Sequence, residues 1–530
     1  LDGGLWIFDL HANTAGMVTI VHSAIPYGFE GKLVEVEGDI NRGLPAFNIV
    51  GMADKTINEA KERVRSAILS SGFSFPDKKV TINLAPADLK KDGSYFDLPI
   101  ALSILLLSSQ LLSTDTKNRL FVGELSLNGT LRPVKGIINI VEVAKKFGIH
   151  EIYVPRQNLA QASLITGVKI YGVDTLRNLF LHLKKEKPFL CTNPTPLQHS
   201  FLHSTGPFLD HVRGQVFAKR AIEIAIAGRH NFLISGSPGA GKTLLARAAA
   251  NLLPSLQPDE QIAITKIYSL AGLKTDTAVI TRPFRHPHHT ASLASIIGGG
   301  PYAYPGEISL AHRGVLFLDE IPEFPRSIIE SLRQPLEDKI ISISRAQQKT
   351  IFPADFMLIA TMNPCPCGYF GDPTHECKCR TLEIERYQKK LSGPLMDRID
   401  ICLTVEKVRT ADLIPSSTIT IPEHQATMKR ISLAIAHQST RYQRSDYYNS
   451  SLSSFEVGKF LRLKPTVQEF FQTATEKLNL SARAYFKTIK IARTIADLED
   501  SPEITSSHLT EALNFRQTWQ IGRASCRERV

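Results

Sequence analysis

Two hydrophobic rhythms alternate between residues 17 and 183. Strand-like apolar stretches at 32–36, 80–84, 120–124 and 151–154 predict strands, while helical spacing over 55–70 and 137–147 predicts helices. The longest apolar run, 98–112, is interrupted by Ser103, Ser108, Ser109 and Gln110. It is shorter than the about 20 residues that cross a bilayer, so it predicts a buried helix. A polar, proline-bearing stretch at 184–207 reads as a linker. Short, wholly apolar strands follow within 208–405, and 422–517 is mostly amphipathic helix. The expected fold class is α/β: a mixed α+β N-terminal domain at 17–183, an α/β core with a parallel sheet at 208–405, and a helical C-terminal lid at 422–517.

The second of these regions carries the clearest chemistry. Apolar residues 232–235 run into Gly236-Ser237-Pro238-Gly239-Ala240-Gly241-Lys242-Thr243, and a helix pattern follows at 244–253. This is G-x-x-x-x-G-K-T in its strand–loop–helix setting. Glycines let backbone N–H groups converge on phosphates, and the helix N-terminus adds partial positive charge. Lys242 is expected at the β/γ oxygens of ATP and the Thr243 hydroxyl on Mg²⁺. The apolar strand 315–318 ends in Asp319-Glu320, placing Asp319 on Mg²⁺ and Glu320 on the attacking water. A third apolar strand, 356–361, leads to Asn363, whose short amide is suited to sensing the γ-phosphate and orienting water.

Composition adds bounds. The chain has 530 residues, too many for one core, so about three domains are expected. Lys and Arg exceed Asp and Glu by 11, which suits a polyanionic partner such as DNA or simply a solvated basic surface. Of seven cysteines, four fall in Cys365-x-Cys367-x₉-Cys377-x-Cys379. Two close pairs across a Gly/Pro loop can close a tetrahedral Zn²⁺ site with a structural role; reduced thiols are the alternative. The localised cluster points to a reducing, cytoplasmic setting, and no membrane segment is expected. His286, His288 and His289 have no neighbouring acids or cysteines in sequence and read as scaffold. Residues 1–16 and 520–530 read as non-native extensions, the Arg-rich second one having a natural basic tail as its alternative.

The stretches GSPGAGKT (236–243), VLFLDE (315–320), ATMNPCPCG (360–368) and SGPLMDRID (392–400) together resemble the YifB/ComM family, bacterial AAA+ ATPases similar to magnesium chelatase. The resemblance covers nearly all of 17–517 and extends to Phe284-Arg285-His286-Pro287-His288-His289-Thr290. It implies an arginine finger at Arg398 acting on a neighbouring subunit's ATP, and a lid arginine at Arg483 acting in cis or in trans. It also implies a homo-hexamer, an adenine-flanking segment at 211–215, and a magnesium-chelatase-type C-terminal domain. The N-terminal domain resembles the Lon-protease fold, with Tyr95 where the serine nucleophile would stand and Ile138 where its lysine would stand. It is therefore expected to be non-proteolytic.

For function, the resemblance implies a ring motor that binds and remodels DNA, by helicase or branch-migration activity, in recombination or natural transformation, with recombination proteins as partners. A hairpin at 339–352 would carry Arg345 and Lys349 towards DNA, or hold them as solubilising charges. The alternatives are a chelatase-like motor that drives metal insertion through a protein partner, and an ATP-switched scaffold.

Overall fold

The computed structural model describes residues 18–51, 55–87, 89, 91, 94–191, 206–273, 277–300, 304–345, 348–408 and 422–517. They fall into two compact units, the residues of 1–198 with 265–279 and those of 199–264 with 280–530. Both expected extensions, linker residues 192–205, and Asp92 and Gly93 of the protease-like segment lie outside the described residues.

The first unit is built on seven strands, β1 (Thr19–Tyr27), β2 (Glu30–Asn41), β3 (Ala46–Val50), β4 (Lys79–Ala85), β5 (Arg119–Phe121), β6 (Glu151–Pro155) and β7 (Lys169–Val173). Their order is β3-β4-β2-β1-β5-β6-β7, with β2 antiparallel to both its neighbours and the other pairs parallel. Helices α1 (Lys55–Ser70), α2 (Asp97–Leu107) and α3 (Ile137–Lys146) accompany them. Every residue of α2 is buried, as its all-round apolar sequence requires. Its one buried hydroxyl, Ser103, meets Thr19 Oγ1 at 2.9 Å. The helix stops where Ser108 turns its hydroxyl back on the Ile104 carbonyl (2.9 Å), a local bond that competes with helix continuation. The strand expected at 120–124 ends at Phe121, and Glu124–Leu125 pairs separately with Leu131–Arg132. At the protease-like positions, Ile138 is fully buried and Tyr95 packs edge-on against Phe96. The Ser94 hydroxyl donates to the Glu124 carboxylate.

In the second unit, β8 (Phe232–Gly236), β9 (Phe284–Arg285), β10 (Val315–Leu318), β13 (Met357–Met362) and β14 (Ile401–Val405) form an all-parallel sheet in the order β9-β10-β13-β8-β14. Parallel strands covered on both faces need continuous apolar sequence, and β10 and β13 are buried at every position. Between them in sequence lies an antiparallel hairpin, β11 (Ile340–Arg345) and β12 (Gln348–Pro353). The hairpin is as expected, but the side chains of Arg345 and Lys349 lie outside the described residues. Helix α4 (Val216–Gly228) precedes β8, and α5 (Lys242–Asn251) follows it.

The C-terminal region is helical: α6 (Pro422–Tyr442), α7 (Ser454–Phe460), α8 (Pro465–Lys477), α9 (Ala482–Leu498) and α10 (Ser506–Gln517). It is not a core apart. Ile431, Ile491 and Ile495 join Ile222, Phe232 and Ile401 in one buried cluster. Polar ties cross the same seam, from Lys487 to Asp400 at 2.7 Å and from His230 to Thr494 at 2.9 Å. Residues 265–279, expected within the ATPase core, pack instead with the first unit, where Ser269 Oγ accepts from the Gly136 N–H at 3.1 Å. No helix among the described residues is long and apolar enough to cross a membrane.

Candidate nucleotide site

The carboxyl ends of parallel strands leave a crevice in which ligands bind. Here the ends of β8, β10 and β13 bring together the residues that the sequence motifs nominate. Gly236 closes β8 and presses on β14: a Cβ there would lie 2.5 Å from the Val405 carbonyl oxygen. Gly239 (φ +81°) and Gly241 (φ +82°) adopt the left-handed backbone that glycine permits, and open space lies where their side chains would be. Helix α5 begins at Lys242 immediately afterwards, so its unpaired N–H groups face that space.

Lys242 is buried, and its ammonium donates to the carbonyls of Gly236 (2.6 Å) and Ser237 (3.2 Å) and to Asn363 Oδ1 (2.9 Å). Burial lowers its pKa, opposed by the charges of Asp319 and Glu320. Thr243 Oγ1 donates to Asp319 Oδ2 at 3.1 Å, so a hydroxyl and a carboxylate oxygen converge as Mg²⁺ prefers. Asn363 completes a chain: its amide also donates to Glu320 Oε1 at 3.4 Å. Glu320 itself stands at φ +52°, a left-handed conformation that costs a non-glycine residue roughly 1–2 kcal/mol. It directs the carboxylate away from the strand and towards Asn363. The glycine cradle, buried lysine and paired oxygen ligands fit a Mg²⁺-bound nucleoside triphosphate.

Motif reading alone misses one residue of this group. Thr361 Oγ1 donates to Asp319 Oδ1 and accepts from the Glu320 N–H at 2.9 Å, fixing both acids at once. It lies at the end of the third apolar strand and within the stretch 360–368 singled out above, but neither signal says what its hydroxyl does. His286 packs on Phe317 (4.7 Å) and is coupled electrostatically to Asp319, with burial lowering its pKa. The adenine-flanking segment lies at the same edge of the sheet, where Gln215 Nε2 donates to the Glu406 carbonyl at 2.6 Å, just past β14.

Arg398 and Arg483 are elsewhere. Arg398 precedes β14, at the amino end of the sheet, and its carbonyl accepts from Asn231 at 3.2 Å, one residue before β8 begins. The five residues of β8, at about 3.3 Å each, separate this end from the phosphate loop by roughly 16 Å. Arg398 pairs with Glu337, and its Nε is buried without a partner. Burial, Arg483 and Arg333 push its pKa down. Arg483, at the start of α9, reaches Asp397 at 3.4 Å and is 60% exposed. The two arginines share a cavity of about 500 Å³ with Asp400, Lys487 and Lys490. The lining of that cavity includes no residue of the phosphate loop.

The cysteines do converge. All four Sγ atoms lie within 4.8 Å of one another, at 3.3 Å (Cys365–Cys367), 3.7 Å (Cys365–Cys377) and 3.6 Å (Cys367–Cys377). Zinc–sulfur bonds of about 2.3 Å in a tetrahedron place sulfurs about 3.8 Å apart, so the cluster fits Zn²⁺. The Tyr369 N–H draws Cys367 down to about 6, while burial pushes Cys365 up. His375 stacks on Tyr369 at 4.8 Å and stands outside the cluster. Among the described residues these cysteines are the one group of three or more His, Cys, Asp or Glu side chains close enough to share an ion.

Comparison with known proteins fits this geometry. Residues 208–413 match the family model for magnesium chelatase, subunit ChlI; 36–158 match that for subunit ChlI of Mg-chelatase, and 423–516 that for its C-terminal region. Competence protein ComM of Haemophilus influenzae is 40% identical over 502 residues, covering 94% of this chain and 97% of that protein. The chain belongs to the YifB/ComM family. YifB of Escherichia coli is likewise 40% identical, over 505 residues with the same coverage. The magnesium-chelatase 67 kDa subunit of Chlorobaculum parvum is 28% identical over only 134 residues, a quarter of this chain. A YifB/ComM protein of this architecture is an AAA+ ATPase, with ATP and Mg²⁺ as its expected ligands.

Proposed function

We propose that this protein is an ATP-driven ring motor that binds and remodels DNA. The observation that carries the ATPase part is the linked set Lys242–Asn363–Glu320 and Thr243–Asp319–Thr361 at one sheet edge. Bound Mg²⁺ would neutralise phosphate charge. Thr243 and Asp319 would hold that ion, Lys242 would bind the β/γ oxygens, and Glu320 would take the proton of the attacking water. Asn363 keeps Glu320 and Lys242 in register with each other.

The position of Arg398 and Arg483 at the far edge supports a composite site, completed by a neighbouring subunit in a homo-hexamer. Mixing Arg398→Ala with Lys242→Ala subunits is expected to restore part of the hydrolysis that each variant lacks alone, read as phosphate release against mixing ratio. Assembled mixtures that stay inactive would argue for a different donor.

The DNA reading is supported by the net charge of +11, by the hairpin β11–β12, and by the name of the ComM relative, a competence protein. Hydrolysis is expected to rise when single-stranded, duplex or four-way-junction DNA is added, and the rise should shrink steeply between about 50 and 200 mM salt. Hydrolysis indifferent to every DNA would favour the chelatase-like reading, which the ChlI family matches support.

The cysteine cluster is proposed as a structural Zn²⁺ site. Metal analysis is expected to find about one zinc per chain, lost in the Cys365→Ser/Cys377→Ser variant. A stable protein free of metal would leave the cysteines as thiols.

A further inference from the structure

The loop that carries the four cysteines lies directly on the phosphate-binding loop. Gly368, at φ +85°, approaches Pro238 so closely that a Cβ there would stand 2.7 Å from the proline Cδ. Four residues on, Asp372 is anchored within its own loop by the Thr374 N–H (2.8 Å) and hydroxyl (2.6 Å). Lys407, just past β14, faces the same carboxylate at 3.3 Å. The Thr374 bonds hold Asp372 well below the usual carboxylate range, and Lys407 and the Ser237 hydroxyl of the phosphate loop add to the effect. The cluster also meets the site from the sensor side. Buried Cys365 follows Asn363 by two residues, and Asn363 accepts from Lys242 at 2.9 Å. Two short tethers therefore run from the cysteines to the loop that would hold the triphosphate.

We propose that the four-cysteine loop positions the phosphate-binding loop through Gly368 and Asp372, so that metal at the cysteines and nucleotide at Lys242 stabilise one another. This rests on the zinc reading given above. The two effects must be reciprocal: whatever factor zinc adds to nucleotide affinity, nucleotide adds to zinc affinity. Asp372 and Gly368 are positioning residues, since neither bears on the reacting atoms.

The test uses the full chain and two readouts besides hydrolysis. One is the rate of zinc release to a chromogenic chelator, with and without Mg²⁺-saturated ATPγS. The other is affinity for a fluorescent ATP analogue. Nucleotide is expected to slow zinc release in the wild type by about 5- to 150-fold, the usual range of coupling, and to leave release unchanged in Lys242→Ala. Asp372→Asn, which removes charge and little volume, is expected to keep its zinc while binding nucleotide more weakly and losing the protection. Gly368→Ala should behave likewise. Zinc-loaded wild type that releases metal at one rate in both conditions, with Asp372→Asn binding nucleotide normally, would overturn the coupling and leave the zinc site standing. Protein purified without zinc would overturn the zinc reading itself, and metal analysis separates the two failures.

Discussion

Lys242→Ala is expected to lower nucleotide affinity by about two to four orders of magnitude. The lysine is buried, and its ammonium already points at the mouth of the loop from between the Gly236 and Ser237 carbonyls. Hydrogen bonds to charged groups contribute about 1.5–3 kcal/mol each, and each 1.4 kcal/mol is a tenfold change. Losing contacts to the β- and γ-phosphates together gives the expected factor. Calorimetric or fluorescent titration with Mg²⁺–ATP measures it directly. Affinity within threefold of wild type would remove Lys242 from the phosphate site, because no other cation in this crevice contacts the loop carbonyls in the same way among the described residues.

Glu320→Gln is expected to do the opposite to binding and turnover: affinity retained, hydrolysis slowed about 10²- to 10⁴-fold, the usual worth of a general base. The substitution keeps the shape, the backbone bond to Thr361 and an acceptor oxygen for Asn363. It removes only the ability to take a proton. Single-turnover hydrolysis beside equilibrium binding separates the two quantities. Near-normal turnover would transfer the base role elsewhere. If affinity fell as steeply as rate, the left-handed turn at residue 320 would matter more than its carboxylate.

The nucleotide site was legible in the sequence because its chemistry is local. Gly236 to Thr243 and Asp319-Glu320 each sit at the end of an unbroken apolar strand, and a parallel sheet delivers such ends to a common edge. Asn363 followed by the same logic. Thr361 did not, since a threonine at the end of a strand is ordinary and only its two bonds distinguish it. The contact of Gly368 with Pro238 was equally hidden, because 130 residues separate them and no periodicity encodes such a meeting. Packing joins two regions that the pattern, like the family models, divides near residue 420. The helices after residue 422 have the amphipathic spacing of a separate lid, yet their apolar faces complete the core that Phe232 and Ile401 begin. Short strands such as β7 carry little alternation to read, being five residues of which one, Gly172, has no side chain.

Phosphate loop and Arg398 lie at opposite strand ends of one sheet, and if Arg398 completes a neighbour's site, as proposed above, an arithmetical consequence follows for any head-to-tail assembly. Each junction joins one donor edge to one acceptor edge, so a closed ring of n chains contains n finished sites, while an open row of n contains n − 1. A lone chain contains none. Specific activity should therefore climb with protein concentration and level off once rings close, and a ring that cracks open should lose one working site at the crack.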